Sequence, residues 1–345
     1  TMRPLYICLA TDENYAQLAT VAITSVFEKN RYATEIEIYI VDGGIKEKTK
    51  NIMRSLTKKY QRKLFFVDVT NKLKKLKEMN VNSQGKFGSY AAYSRFFITE
   101  YLPDYVDKIL YIDCDTCVVN SLNELFSIDM KEYALAGILD ILPQFHKKYI
   151  NFSEQDNYYN SGVLLFNCEI WKKENYTNKI IEHIKNIKSN YSFHDQDLIN
   201  IICKNKILTL SPKYMVFYPE YKWGEKNIRW LNGFNHEYYS NEELINALKE
   251  PIIIHYVDSI VGRPWYEDNI NDYSRYWEEM KAKSPYDDSF TKIVKPSSIR
   301  HKILRGIYRY LPLSIFITIH KKRRNQLLTK REKISGIRGK NNETA

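Results

Sequence analysis

The sequence predicts an α/β fold built on a parallel, right-handed sheet. Three observations predict it: short apolar runs alternate with segments of helical spacing, polar or glycine-bearing turns separate them, and the first seventy residues or so follow the order β-α-β-α-β. With 345 residues, 44% hydrophobic and 27% charged, the chain can bury a full core. That excludes a wholly disordered chain and a multi-span membrane protein. The longest mainly apolar run near the C-terminus, residues 311–319, is far shorter than the ~20 residues of a spanning helix. The opening residues read as a strand and not as a secretion leader.

Residues 5–9 are the first strand. A polar turn, Ala10-Thr11-Asp12-Glu13-Asn14-Tyr15, leads into apolar residues at helical spacing from Leu18 to Val26. Residues 35–41 read as a second strand, Asp42-Gly43-Gly44 as its turn, residues 46–60 as a basic helix and 64–69 as a third strand. Ligands of such sheets sit outside the carboxyl ends of the strands, so the turn at residues 11–15 is a candidate site. Residues 80–97 divide into a polar loop carrying Gly85 and Gly88 and a helix from Tyr90. Residues 109–112 are an apolar strand running into Asp113-Cys114-Asp115. Residues 133–139 form a strand ending at Asp140, and Asn160-Ser161-Gly162 leads into the apolar run 163–167. Residues 171–188 and 194–203 read as helices, and 252–255 as a β-type run ending in His255.

The five cysteines show no disulfide framework and read as buried thiols of a reducing compartment. Cys114-x-x-Cys117 does not open a helix, and no second pair completes a zinc site. Charge is segregated. Residues 292–345 hold 15 Lys and Arg against two acids, a net +13 in a chain of net +11, which leaves −2 on residues 1–291. The division is therefore a body at residues 1–285 and a basic tail at 286–345. Apolar residues at roughly helical spacing on both sides of Pro312, mixed with Lys and Arg, suggest an interfacial helix pair on an anionic membrane surface. A solvated basic tail is the plain alternative. Nucleic acid is not expected as a partner, since the body is not basic and no nucleic-acid-binding motif is present.

Asp113-Cys114-Asp115 is the strongest chemical signal. In extended chain, residues i and i+2 share a face, so two carboxylates there can hold one hard divalent cation with phosphate oxygens. A solvated acidic turn is the alternative. His255 is the candidate third ligand, and imidazole suits Mn²⁺ better than Mg²⁺. Gly262-Arg263-Pro264-Trp265 places a cation beside a flexible glycine, where it can meet a diphosphate. Asp195-Gln196-Asp197 lies near a helix start, where the acids can serve as caps or grip sugar hydroxyls. No Walker A, Rossmann, H-E-x-x-H or G-x-S-x-G motif is present.

Taken in order, these motifs resemble glycosyltransferase family 8, similar to bacterial lipooligosaccharide galactosyltransferases and, more distantly, to glycogenin. The resemblance spans about residues 4–270. It rests on residues 10–15, Tyr93-Ser94-Arg95, the run from Lys108 into Asp113 and Asp115, residues 159–164, Asp195-Gln196-Asp197, and His255-Tyr256 ahead of Gly262-Arg263-Pro264-Trp265. It implies a GT-A fold and a retaining, Mn²⁺-dependent hexosyl transfer, with Mg²⁺ as the alternative ion. The donor would be a UDP-hexose (galactose favoured, glucose the alternative) and the acceptor a glycan, glycolipid or glycoprotein of a bacterial surface. The setting would be cytoplasmic, peripheral on the inner face of the cell membrane. By the same resemblance Asp12 and Asn14 would bind uracil, Tyr15 would stack on it, and Ala10 and Thr11 would offer backbone contacts. Arg95 would approach the diphosphate or sugar, Asp113, Asp115 and His255 would hold the metal, and Cys114 would lie near the ribose. Asn160, Ser161, Asp195 and Gln196 would surround the hexose, Asp140 would sit at the sugar–acceptor junction, and Gly262 and Arg263 would meet the phosphates. The family's usual ending is His-aromatic-x-Gly-x-x-Lys-Pro-Trp; here the segment is longer and Arg263 replaces the Lys. Nucleotidyl transfer, self-glucosylation and silent UDP-sugar binding are the competing readings.

Overall fold

The structure is a computed structural model, and it describes residues 3–79, 90–186, 191, 193–290 and 299–335. The loop around Gly85 and Gly88 and the basic residues beyond 335 lie outside the described residues. The strands are β1 (Leu5–Thr11), β2 (Ile36–Asp42), β3 (Lys63–Val67), β4 (Lys108–Ile112), β5 (Thr116–Val118), β6 (Leu135–Leu139), β7 (Tyr159–Asn167), β8 (Ile207–Thr209) and β9 (Ile253–His255). Seven form one sheet in the order β3-β2-β1-β4-β7-β6-β8, while β5 and β9 pair apart from it.

The β-α-β-α-β reading holds for the first half. β3, β2, β1 and β4 run parallel, joined by the helices Ala16–Lys29 and Glu47–Lys59. The sheet is parallel-dominated and not wholly parallel: β7 enters antiparallel between β4 and β6. β7 is buried along nearly its whole length. A strand covered on both faces reads as a continuous apolar run whatever its direction, and periodicity carries no sign of direction.

Two helix readings also change. Residues 90–100 wind as a 3₁₀ helix. The helix expected over 171–188 is broken into Cys168–Lys173 and Tyr176–Asn186 by Asn175 at φ +55°. Asparagine tolerates the left-handed region better than most residues, so the break falls there. The helices Asn241–Lys249 and Ser274–Lys283 were not read from sequence, although Ser240 and Glu243 form a capping box ahead of the first.

The tail is helical on both sides of Pro312, as expected, with helices Ile299–Tyr310 and Leu313–Ser335. It does not hang free. Leu304, Phe316 and Ile317 are buried against Tyr218, Trp223 and Val261, and Arg305 donates to the Ile260 carbonyl and to Asp268. A second set of apolar residues, Ile299, Ile303, Tyr310, Leu311, Ile315 and Ile319, stays exposed. Among the described residues no helix is long and apolar enough to cross a membrane. All five cysteines are buried and unbridged.

Candidate active site

The carboxyl end of β4 is the origin of the site. Asp113 follows it directly and donates its N–H to the Gly162 carbonyl on β7 at 2.8 Å. The chain then turns: the Thr116 hydroxyl donates back to the Asp113 carbonyl at 2.8 Å, and β5 begins. The carboxylates of Asp113 and Asp115 therefore converge through a turn and not through the pleat of an extended strand, which corrects the geometric argument from i and i+2. β5 pairs antiparallel with β9, setting Thr116 opposite His255. The Tyr256 N–H donates to the Asp115 carbonyl at 2.9 Å. The Ala16–Lys29 helix fixes this small sheet from behind, because Ser25 Oγ accepts the Val118 N–H at 2.9 Å.

The result is a cluster in which one ligand atom each from Asp113, Asp115 and His255 lies within 4.8 Å of the others. His255 Nε2 is 3.1 Å from Asp115 Oδ1 and 3.8 Å from Asp113 Oδ2. Arg263 reaches the other Asp115 oxygen at 3.1 Å. Burial pushes the Asp115 carboxyl up, but His255 and Arg263 outweigh it and hold it below the usual carboxylate range. Burial disfavours the charged His255 ring, yet Asp115 and Asp113 raise it above the ordinary imidazole value.

The donor set fits a hard or borderline divalent cation: two carboxylates and an imidazole. The packing fits as well. A Cβ at Gly162 would stand 2.4 Å from His255 Cε1 and 2.9 Å from Asp113 Oδ2, so only glycine leaves room for the cradle.

Arg95 ties this cluster to the next. It is buried, donates to the Ser161 carbonyl at 2.6 Å, and pairs with Asp113 and Asp195 at 3.3 Å each. Its guanidinium also lies over the Tyr111 ring, 4.1 Å from the centroid, and Tyr111 donates to Asp113 Oδ1 at 2.9 Å. Burial raises the Asp195 carboxyl despite Arg95.

Beyond Arg95, Gln196 is held at both ends of its amide. Its Oε1 accepts the Ser161 N–H at 3.0 Å, and its Nε2 donates to Asp140 Oδ2 at 2.8 Å. Asn160 donates to the same Asp140 oxygen at 3.0 Å and accepts the Gly162 N–H at 2.8 Å. Behind Gln196, Tyr158 and His146 both meet the fully buried Asp197 Oδ1, at 2.6 and 2.8 Å. Asp197 Oδ2 reaches back along the helix His194–Ile202 to accept the Phe193 N–H at 2.9 Å.

The turn after β1 supplies the outer part. Asp12 Oδ1 accepts the N–H groups of Asn14 and Tyr15 at 2.9 and 3.1 Å, and Tyr15 is 49% exposed at the mouth. The Gly43 N–H donates to the Thr11 carbonyl at 2.8 Å. Cys114 Sγ donates to the Ala10 carbonyl at 3.3 Å, joining this turn to the acidic one. Gly262 adopts φ +79°, where glycine is unstrained. The sequence-stated residues thus fall into an outer turn and one continuous inner cluster. Missed from sequence were the part of Gly162 as the cradle floor and those of Tyr111, Tyr158 and His146; Gly162 and Tyr111 lie inside runs read from sequence, but Gly162 meets His255 across strands and Tyr111 meets Arg95 from another element.

Comparison with known proteins finds similarity over most of the chain. The family model "Glycosyl transferase family 8" matches residues 6–269. A putative glycosyltransferase of Haemophilus influenzae is 32% identical over 212 residues, 60% of this chain and 62% of that protein. A lipopolysaccharide 1,2-glucosyltransferase of Escherichia coli is 26% identical over 307 residues, 86% and 84% of the two chains. A lipopolysaccharide 1,3-galactosyltransferase of Salmonella typhimurium is 26% identical over 57% of this chain and 56% of its own. The galactosyltransferase LgtC, solved with donor and acceptor sugar analogues, shares the fold with a TM-score of 0.63 at 23% identity, over 82% of this chain and 96% of its own.

Proposed function

The chain belongs to glycosyl transferase family 8 and has its GT-A fold, and from that premise we propose that it is a retaining hexosyltransferase using a UDP-sugar. Relatives named for glucosyl and for galactosyl transfer both match. Galactose is our preferred donor, with glucose the alternative. The acceptor is a glycan, glycolipid or glycoprotein of the bacterial surface. The observation that carries the reading is the convergence of Asp113, Asp115 and His255 beside the Gln196–Asp140 pair.

Asp113, Asp115 and His255 would hold a divalent ion, Mn²⁺ in our reading. Such an ion supplies Lewis-acid neutralisation of charge on a departing diphosphate. The protein's own residues do the rest. Asp12, Asn14 and Tyr15 bind and stack the uracil. Arg263, now paired with Asp115, can turn its planar fork to a phosphate. Arg95 fixes Asp113 and Asp195 relative to Ser161 and so sets the sugar-binding wall against the diphosphate. Gln196 faces the sugar as an amide locked by Ser161 and Asp140. An amide is a poor nucleophile, which favours entry of the acceptor hydroxyl on the face the diphosphate leaves, with a diphosphate oxygen taking the proton. Asp140 accepts hydrogen bonds from both Asn160 and Gln196 at the junction with the acceptor.

The exposed apolar residues of the tail, set among Lys and Arg, support attachment to an anionic membrane surface. The test of function is UDP release from a panel of UDP-sugars with Mn²⁺, repeated with candidate acceptors. Pyrophosphate in place of UDP would point to nucleotidyl transfer, and binding without turnover to a silent protein.

A further inference from the structure

The cleft that holds Asp140 and Gln196 is a cavity of about 690 Å³ whose far wall is the tail helix Leu313–Ser335. That helix brings Arg323 and Arg324 to the cavity. Arg324 docks at a defined point. It donates to Asn232 Oδ1 at 2.5 Å and to the carbonyl of Ile141, the residue after Asp140. Its guanidinium is therefore one residue removed from the carboxylate that Gln196 and Asn160 bond.

The partners of these arginines are unusual. Both acceptors of Arg324 are neutral, and among the described residues neither Arg323 nor Arg324 is in an ion pair with a carboxylate. Arg323 has no hydrogen bond to any described residue. At the inner end of the same cavity the opposite holds: Glu220 Oε2 is buried with no hydrogen-bond partner among the described residues. A carboxylate in want of donors suits a sugar hydroxyl. The Arg323 fork, without a hydrogen bond among the described residues, suits a phosphate or carboxylate, which it can grip bidentately, with the charge of Arg324 beside it, whose own fork Asn232 and the Ile141 carbonyl already hold.

We propose that the tail helix is part of the acceptor site, and that the acceptor is a saccharide bearing an anionic group, received by Arg323 and Arg324 while Glu220 takes a hydroxyl. This rests on reading the cleft as a sugar-transfer site. It also makes the tail a wall of that site as well as a membrane contact, so that removing it should cost transfer even to a soluble acceptor. The outward apolar face of the tail would then hold the enzyme where a membrane-borne anionic acceptor presents itself.

The experiment is equilibrium binding to the full chain, with and without UDP and Mn²⁺. The probes are glucose 6-phosphate, galactose 6-phosphate and glucuronate, each against its neutral sugar, and phosphatidylglycerol vesicles as a separate arm. The expected result is at least tenfold tighter binding of the anionic sugars than of the neutral ones. Arg323→Ala and Arg323→Glu should lose that preference, and Arg324→Lys, which keeps the charge but not the fork, should lose part of it. Equal binding of charged and neutral sugars, or a preference untouched by Arg323→Glu, overturns the proposal. So does Arg323-dependent binding of vesicles alone, which would make this a headgroup site. UDP release without any anionic preference sinks this proposal and leaves the transferase reading intact. Arg323-dependent sugar phosphate binding in a protein that cleaves no UDP-sugar does the reverse.

Discussion

Gly162 and His255 are in contact so close that a single methyl group would separate them: a Cβ on Gly162 would lie 2.4 Å from the imidazole Cε1. Gly162 sits on β7 and His255 on β9, which belong to different sheets. The contact is where the two sheets meet at the acidic turn. Gly162→Ala should therefore displace His255 or Asp113 while leaving the strand in place. The expected outcome is a loss of Mn²⁺ affinity of at least tenfold, read by paramagnetic resonance, with melting temperature changed by only a few degrees.

Gln196 is also held from behind, on the side away from Asp140 and Ser161. Asp197 is fully buried and meets His146 and Tyr158, and Tyr158 in turn accepts from Gln196 at 3.2 Å. Disturbing a buried hydrogen-bond partner costs about 1–3 kcal/mol. Asp197→Asn should lower kcat about tenfold or more with KM for the donor nearly unchanged. Gln196→Ala should lower kcat further, and near-wild-type turnover of that variant would remove Gln196 from the site.

Burial pushes the Glu220 carboxyl up to about 7. Its ordinary value is 4.5, so the folded protein holds this proton more tightly than the unfolded chain does. Stability contributed by the neutral form is fully present below pH 4.5 and is lost as pH rises through 7. Glu220→Gln should raise the melting temperature at pH 8 and leave it unchanged near pH 4.5. The gain corresponds to about 3 kcal/mol at most. Parallel melting curves at both pH values would contradict the burial argument.

His320 lies between Phe316, with ring centroids 5.2 Å apart, and Trp223, 6.0 Å away. Burial, with Arg324 and Arg323 nearby, lowers it from 6.5 to about 4. A base depressed in the folded state contributes stability above its unfolded pKa and loses it as pH falls through the window from 6.5 toward 4. The protection factors of the amides in residues 313–335, taken relative to intrinsic exchange at each pH, should fall across that window, and His320→Phe should flatten the dependence.

Much of this site was legible in the sequence because its groups end apolar runs. Asp113 and His255 each close a buried strand, and that punctuation marks the edge of a sheet where ligands bind. What joins them was not legible. β5 and β9 have three residues each, too few for a periodicity, and Asp115 and His255 are 140 residues apart. The role of Gly162 depends on a contact between two sheets and leaves no trace in local pattern. The tail shows the converse limit. Its amphipathic spacing was readable on either side of Pro312. That one apolar face is taken up by Trp223 and Val261 and another left outward was not, because composition does not distinguish a face covered by protein from one covered by lipid. The same blindness hid Arg324 beside Asp140.

The most direct test of the account is the structure of the full chain with UDP and Mn²⁺. It predicts one ion bonded to a carboxylate oxygen of Asp113, a carboxylate oxygen of Asp115 and Nε2 of His255, with the diphosphate against it and Arg263 released from Asp115. An ion held by the two aspartates with the His255 ring beyond bonding reach, or no ion between them, would contradict it.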